Sequence, residues 1–239
     1  MEKDLNELVE RLKKAAGANL TSVVLYGSAA AGEFHPKHSD LNVLCVLGRL
    51  GAAELEKLNS ATAWWARKGH PAPVVFTLEE LRSSADVFAI ELLDIKAQRR
   101  VLHGEDTFAE LEVPMTLHRQ QVERELRSRL VRLRQVFLAA PQNKRVLLGF
   151  MTASVSTFGV LFRHALIALG APAPGGKRAA VDQLSQLLGF DPSGFHALFD
   201  LREGKRKEGD LDVMATFASY LAAVTRVAEE VDRRLAVGR

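Results

Sequence analysis

Gly27-Ser28 and the pair Asp40 and Asn42 are the residues of this 239-residue chain whose types and spacing could do chemistry. Gly27-Ser28 follows the β-rich run Ser22-Val-Val-Leu-Tyr26, and Ser39-Asp40-Leu41-Asn42 leads into a second run ending at Leu47. A glycine lets the backbone turn sharply and approach a ligand closely. Ser28 adds a hydroxyl and an amide. Ala29 to Ala31 are good helix formers, so a helix is expected to start just after the turn, where free amides point outward and favour an anion. Alternate residues of a strand share a face, which sets Asp40 and Asn42 on one side and Leu41 and Val43 on the other. Two oxygens so spaced can hold one divalent ion; Mg²⁺ takes hard oxygen ligands and keeps substrate phosphates in its shell. The layout is that of a phosphate site beside a metal position.

The elements around these residues are legible from periodicity. Asp4 to Ala16 reads as an amphipathic helix with Leu5, Leu8, Val9 and Leu12 as its stripe. Ser22 to Tyr26, Leu41 to Leu47 and Pro73 to Thr77 read as strands, Glu33 to His38 as a loop, and Ala52 to Lys68 as a helix ending near Trp64-Trp65, which read as core or domain-interface residues rather than base-stacking platforms. Leu78 to Ser84 follows as a helix, with Thr77 as its N-cap and Glu80 completing a capping box. Asp86 to Gln98 reads as another, with Val87, Ile90, Leu93 and Ala97 on one side.

This arrangement resembles the nucleotidyltransferase superfamily, whose pattern is a hydrophobic residue, Gly, Gly or Ser, a short spacer, then Asp-hydrophobic-Asp/Glu-hydrophobic. Here it stands as Tyr26-Gly27-Ser28 through Asp40-Leu41-Asn42-Val43. Arg100-Val-Leu-His103-Gly104-Glu105-Asp106 is similar to the edge strand and turn that close such a domain. The resemblance implies an α/β (α+β) nucleotidyltransferase fold with a small mixed sheet over residues 1–113, followed by an all-α helical bundle over 114–239. It also implies a nucleoside triphosphate ligand, with NMP transferred to a hydroxyl acceptor and pyrophosphate released. Gly27, Ser28 and Asp40 would then bind the nucleotide, and Asp40 with Asn42 would hold Mg²⁺.

The pattern breaks at two positions. Two dications close together repel strongly, so a two-metal site needs several negative charges. Asn42 offers a neutral carbonyl where the family carries a carboxylate, and Val74-Val75-Phe76, where a third is expected, contains none. Glu79, Glu80, Glu91 and Asp94 are the candidates to replace it. The alternative function is a catalytically inactive homologue acting as a nucleotide-binding or protein-interaction module.

Charge is uneven. Residues 1–113 carry 13 Lys/Arg and 17 Asp/Glu (−4), and 114–239 carry 19 and 12 (+7). That asymmetry supports a boundary near Val113-Pro114 and makes the second half the side for an acidic partner. Its first helix, opening at Thr116 or Leu117, has the stripe Val122, Leu126, Leu130, Leu133 and Phe137. Six arginines decorate it: Arg119, Arg124, Arg127, Arg129, Arg132 and Arg134. They form either a solvated face or a set of triphosphate contacts. Pro141-Gln-Asn143 breaks the helix, and Lys144 to Leu169 reads as the apolar centre of the bundle. The Lys177-Arg178 start of the next helix opposes the dipole and is expected to serve an anion. His118, His164 and His196 read as isolated. The basic loop Arg202 to Lys207 lacks the aromatics of a nucleic-acid site, and no nucleic-acid partner is expected. The expected partners are a nucleoside triphosphate and a small hydroxyl-bearing acceptor or a protein. No apolar run reads as membrane-spanning, and the lone Cys45 reads as a buried core thiol. Together these point to the cytoplasm.

Overall fold

The computed structural model describes residues 1–32, 40–115, 117–140 and 143–237, with side chains as far as 233. The chain divides into two compact units, Met1–Met115 and Thr116–Arg239. The expected loop at Glu33 to His38, Ser39, the helix start at Thr116 and the break at Pro141-Gln142 lie outside the described residues.

The first unit runs α1 (Glu2–Ala16), β1 (Leu20–Tyr26), β2 (Asn42–Leu47), α2 (Ala52–Arg67), β3 (Val74–Thr77), α3 (Leu78–Ser83), α4 (Ala89–Ala97) and β4 (Arg99–Gly104). Its strands form one mixed sheet in the order β3-β2-β1-β4. β1 pairs antiparallel with β2 and β4, while β2 and β3 run parallel. Alternation along the strands gives the sheet two apolar faces. Val23, Leu25, Leu41, Val43 and Cys45 pack with Leu5, Leu8 and Leu12 of α1 and with Leu58, Ala61 and Trp65 of α2. Val24, Leu44 and Val46 pack on the opposite side with Leu81 of α3, Leu92 and Ile95 of α4, and Phe108. Burial pushes the Cys45 thiol up to about 12, which keeps it protonated and inert.

Gly104 ends β4 with a φ of +73°, and a Cβ there would lie 1.9 Å from the Thr21 carbonyl oxygen. The backbone of β4 therefore crosses that of β1 where no side chain fits, close to the register shift between Val23 and Val24. The Ser22 hydroxyl, fully buried, donates to the Glu105 carbonyl at 2.6 Å just beyond.

Two local expectations are corrected. Gly27–Ala29 forms a single 3₁₀ turn rather than the start of an α-helix. Ala30 and Ala31 both donate to the Gly27 carbonyl at 3.0 Å, so the residues after the glycine close one short turn. Residues 84–87 form turns, and α4 begins only at Ala89. Its buried side is Ala89, Ile90, Leu92 and Ile95, whereas Val87 is 57% exposed. Val87 precedes the helix, and Leu93 and Ala97 lie off its buried side.

The second unit contains α5 (His118–Ala139), α6 (Lys144–Ala168), α7 (Lys177–Leu188), α8 (Ser193–Arg202) and α9 (Val213–Val237). Asn143 caps α6 by accepting from the Val146 amide at 3.1 Å. α6 packs against α5, α7, α8 and α9, the central place its apolar sequence predicts. The α5 stripe Val122, Leu126, Leu130 and Leu133 is buried, and Phe137 stacks on Phe217 with centroids 4.6 Å apart. Phe158, Phe195 and Tyr220 fill the interior, and the Tyr220 hydroxyl pairs with Ser154 at 3.0 Å.

Three readings of this half change. α6 does satisfy the length and composition of a membrane-crossing helix, against the sequence expectation, and 44% of its most apolar window is buried inside the fold. Two of its polar residues turn inward: Ser154 to Tyr220, and His164 to His118. The histidines are not isolated. His118 Nε2 and His164 Nδ1 lie 2.9 Å apart with both residues fully buried, and His196 pairs with Asp182 at 2.5 Å. Arg178 has its anion within the protein: its guanidinium donates to Asp200 at 2.8 Å and Glu203 at 3.2 Å, and it lies over the Phe199 ring.

Candidate functional site

The site is built where β1 ends and β2 begins. Tyr26, the last residue of β1, stands opposite Asn42 in β2 and opposite Arg99 in β4. The chain leaves Tyr26 in an extended conformation and turns at Gly27, whose φ is +75°. Such a φ costs any L side chain of order 1–2 kcal/mol, so glycine is the natural occupant. A Cβ on Gly27 would also lie 3.3 Å from Asn42 Nδ2. The Asn42 side chain thus lies against the turn. Ser28 follows half-buried.

Leu41 and Val43 are buried together on the α1–α2 face, while Asn42 is half-buried and Asp40, just before the strand, is exposed. The pair offers one carboxylate and one amide oxygen. Burial raises the Tyr26 phenol above its ordinary range, so it stays a neutral hydroxyl beside them.

The substitute carboxylates are placed elsewhere. Glu80 closes a capping box: its Oε2 accepts from the Thr77 amide at 2.8 Å, and its own amide donates to Thr77 Oγ1 at 3.1 Å. Glu79 is exposed beside it, Glu91 is exposed on α4, and Asp94 is half-buried there. β3 pairs with β2 in parallel from Leu44↔Val74 to Leu47↔Thr77, which sets Val74, 40% exposed, on the strand neighbouring Asn42. Among the described residues no group of three His, Cys, Asp or Glu side chains could hold a metal ion. The donor set fits one hard cation sharing its shell with phosphate oxygens and does not fit a pair.

One nearby residue carries no signal in the sequence beyond its place in a Pro-rich turn. His70 follows α2, and its ring packs on the fully buried Trp65 with centroids 4.3 Å apart. Burial lowers its pKa, while the charges of Asp4 and Asp40 pull it upward. Of the α5 arginines, Arg127 is paired with Glu123 at 2.6 Å and Asp232 at 2.7 Å, and Arg129 with Glu125 at 3.0 Å. Arg119, Arg124, Arg132 and Arg134 are exposed.

A small mixed sheet with a Gly-Ser turn after its first strand, followed by a helical half, is the nucleotidyltransferase fold, and the chain adopts it. In particular, it is similar to spectinomycin adenyltransferase AAD(9) from Enterococcus faecialis, solved with ATP and spectinomycin. That likeness covers 99% of each chain at 15% identity, with a TM-score of 0.51. A toxin–antitoxin structure containing AMP-PNP matches over 53% of this chain and 98% of its own, at 15% identity and a TM-score of 0.35. No family model matches the sequence, and no curated protein matches it.

Proposed function

We propose that the chain binds a nucleoside triphosphate and transfers its NMP to a hydroxyl of a small acceptor, releasing pyrophosphate. The carrying observation is the contact between the Gly27 turn and Asn42 at the mouth of β2. It joins a backbone able to approach phosphates with residues able to take a cation. Gly27 and Ser28 hold phosphate oxygens. Asp40, with Asn42 assisting, holds one Mg²⁺, which would neutralise phosphate charge when bound. Phosphoryl transfer asks of a protein mainly positioning and charge neutralisation. The neighbouring fold bound to ATP and spectinomycin supports ATP as the donor and a polyhydroxyl amine as the acceptor class.

A second reading is a nucleotide-binding or protein-interaction module without turnover. The neutral Asn42 and the apolar Val74 favour it, since both remove charge from the cation site.

Calorimetric titration of ATP, with and without Mg²⁺, tests the first reading. Binding is expected to need Mg²⁺ and to weaken at least roughly tenfold, about 1.4 kcal/mol, in Asp40→Ala. ATP binding indifferent to both would remove the metal role. Labelled nucleotide remaining wholly on ATP across a panel of small polyhydroxyl amines would favour the second reading.

A further inference from the structure

We propose that the outward face of α5 is a docking surface for an acidic amphipathic helix of a partner protein. The helix carries two opposed stripes. Val122, Leu126, Leu130 and Leu133 are buried in the bundle. On the other side Leu117, the residue that precedes α5, is followed at intervals of seven by Arg124, Val131 and Leu138, and all four are exposed. Seven residues make nearly two turns of an α-helix, so the four stand in one line, about 32 Å long at 1.5 Å per residue.

The apolar members of this line are well out in solvent. Leu117 is 43% exposed, Val131 50% and Leu138 75%, the highest value for a large apolar side chain among the described residues. A single exposed leucine needs no explanation. Three large apolar residues on one heptad line form a seam of the kind that a second helix packs against.

Charge selects what covers the seam. Arg124 lies in the line itself, and Arg127 and Arg134 lie beside it. Arg127 is engaged by Glu123 and Asp232. Arg124 and Arg134 have no ion pair among the described residues. α5 carries six arginines against Glu123 and Glu125, and both glutamates are already paired, with Arg127 and Arg129. The face therefore holds positive charge that the fold does not neutralise. Charges flanking an apolar seam set partner choice, and glutamates beside the leucines of an incoming helix complement these arginines.

Other occupants leave part of the face unused or repelled. A second copy of the chain would set one arginine-rich helix against another. A nucleic acid would take the arginines but leave Val131 and Leu138 without contacts. The one aromatic residue of α5, Phe137, is stacked on Phe217 inside the bundle and is not offered to bases. A face one helix wide suits a transient contact rather than a permanent one. The inference is independent of whether the chain turns over nucleotide.

The test uses the full chain and a labelled synthetic helix with leucines at heptad positions a and d and glutamates at e and g. A peptide of the same composition in shuffled order is the control, and binding is read by fluorescence anisotropy across a salt series. The patterned peptide is expected to bind at least roughly tenfold more tightly than the shuffled one, and to weaken as salt rises. Arg124→Gln combined with Arg134→Gln should weaken binding at least roughly tenfold, and so should Val131→Gln combined with Leu138→Gln. Melting temperatures should stay near wild type, because all four side chains are exposed. No binding of the patterned peptide, equal affinity for both peptides, or affinity unchanged in either double variant overturns the proposal. So does a DNA or RNA duplex that displaces the peptide at lower concentration, or self-association in sedimentation that is lost in the Val131 and Leu138 variant.

Discussion

The side-chain amide of Asn42 lies against the α-carbon of Gly27, 3.3 Å from where a Cβ would project. This contact ties the turn after β1 to the first residue of β2 across an antiparallel pair, with Tyr26 opposite Asn42. Gly27, with a φ of +75°, has no side chain of its own there, and the Asn42 amide fills the place one would take. The contact therefore links local backbone conformation to what the site can hold.

Replacing Gly27 with alanine tests that link. The left-handed backbone conformation costs about 1–2 kcal/mol for a side chain, and the new methyl crowds Asn42. Denaturant unfolding should show a loss of that order, and ATP affinity should fall at least roughly tenfold. Ser28→Ala, which keeps the backbone, should weaken ATP binding without lowering stability. Wild-type affinity in both variants would remove the turn from the phosphate site.

Asn42→Asp adds the charge the cation site lacks. A second carboxylate beside Asp40 should lower the Mg²⁺ concentration needed for half-maximal ATP binding by roughly tenfold. Without Mg²⁺ the same variant should bind ATP more weakly than wild type, because the carboxylate then repels phosphate. Calorimetry across a Mg²⁺ series reads both effects, and an unchanged Mg²⁺ requirement would exclude residue 42 from the ion's surroundings.

Glu80 acts as a cap. Thr77→Ala and Glu80→Gln each disturb a capping box whose two hydrogen bonds measure 3.1 and 2.8 Å. Loss of an N-cap costs about 1 kcal/mol, so thermal unfolding should shift downward in Thr77→Ala. Mg²⁺·ATP affinity should match wild type in Glu80→Gln. A selective loss of nucleotide binding in that variant would return Glu80 to the list of metal ligands.

Gly104→Ala forces a Cβ to within 1.9 Å of the Thr21 carbonyl oxygen, a backbone atom that cannot rotate away. β4 must separate from β1, and the cost should exceed about 3 kcal/mol, among the larger single-residue effects. A chevron or equilibrium urea curve measures it. A change under 1 kcal/mol would mean the crossing can relax.

Acid stability carries a signature of Asp106. The hydrogen bonds from Arg99, at 2.8 and 2.7 Å, hold its carboxyl below the ordinary 3.8. A depressed carboxylate pKa adds stability above the unfolded value, lost as pH falls through the folded one. The contribution at neutral pH should therefore fade as pH falls from about 3.8 through the lower folded value in wild type. Asp106→Asn should lose less than about 1 kcal/mol at pH 7, because the pair is partly exposed, and should show a shallower acid slope. An identical slope in the two proteins would rule the pair out.

Much of the fold was legible because it is written locally. The α1 stripe Leu5, Leu8, Val9 and Leu12 is buried as its spacing requires, and the Thr77–Glu80 box is present in both of its hydrogen bonds. The strand around Cys45 alternates between two apolar faces, as a sheet covered on both sides must. The α4 phase was misread because turn residues 84–87 contain no proline or glycine to mark them, so Val87 was counted into a helix it precedes. Of the site, the Gly27 turn and the Asp40-Leu41-Asn42 segment could be read from residue types. The setting of His70 could not.

Sequence by itself determined the elements, the alternation that divides β2 between two cores, and the shortage of carboxylates at residues 42 and 74–76. Tertiary structure alone decided which distant groups meet. His118 finds His164 across 46 positions, Arg178 finds Asp200 and Glu203, and His70 settles on Trp65. The reason is physical. Propensity, capping and periodicity act over a few residues and are encoded where they act. A buried imidazole pair or a paired guanidinium depends instead on how helices turn against one another, and that is fixed only when their apolar faces pack.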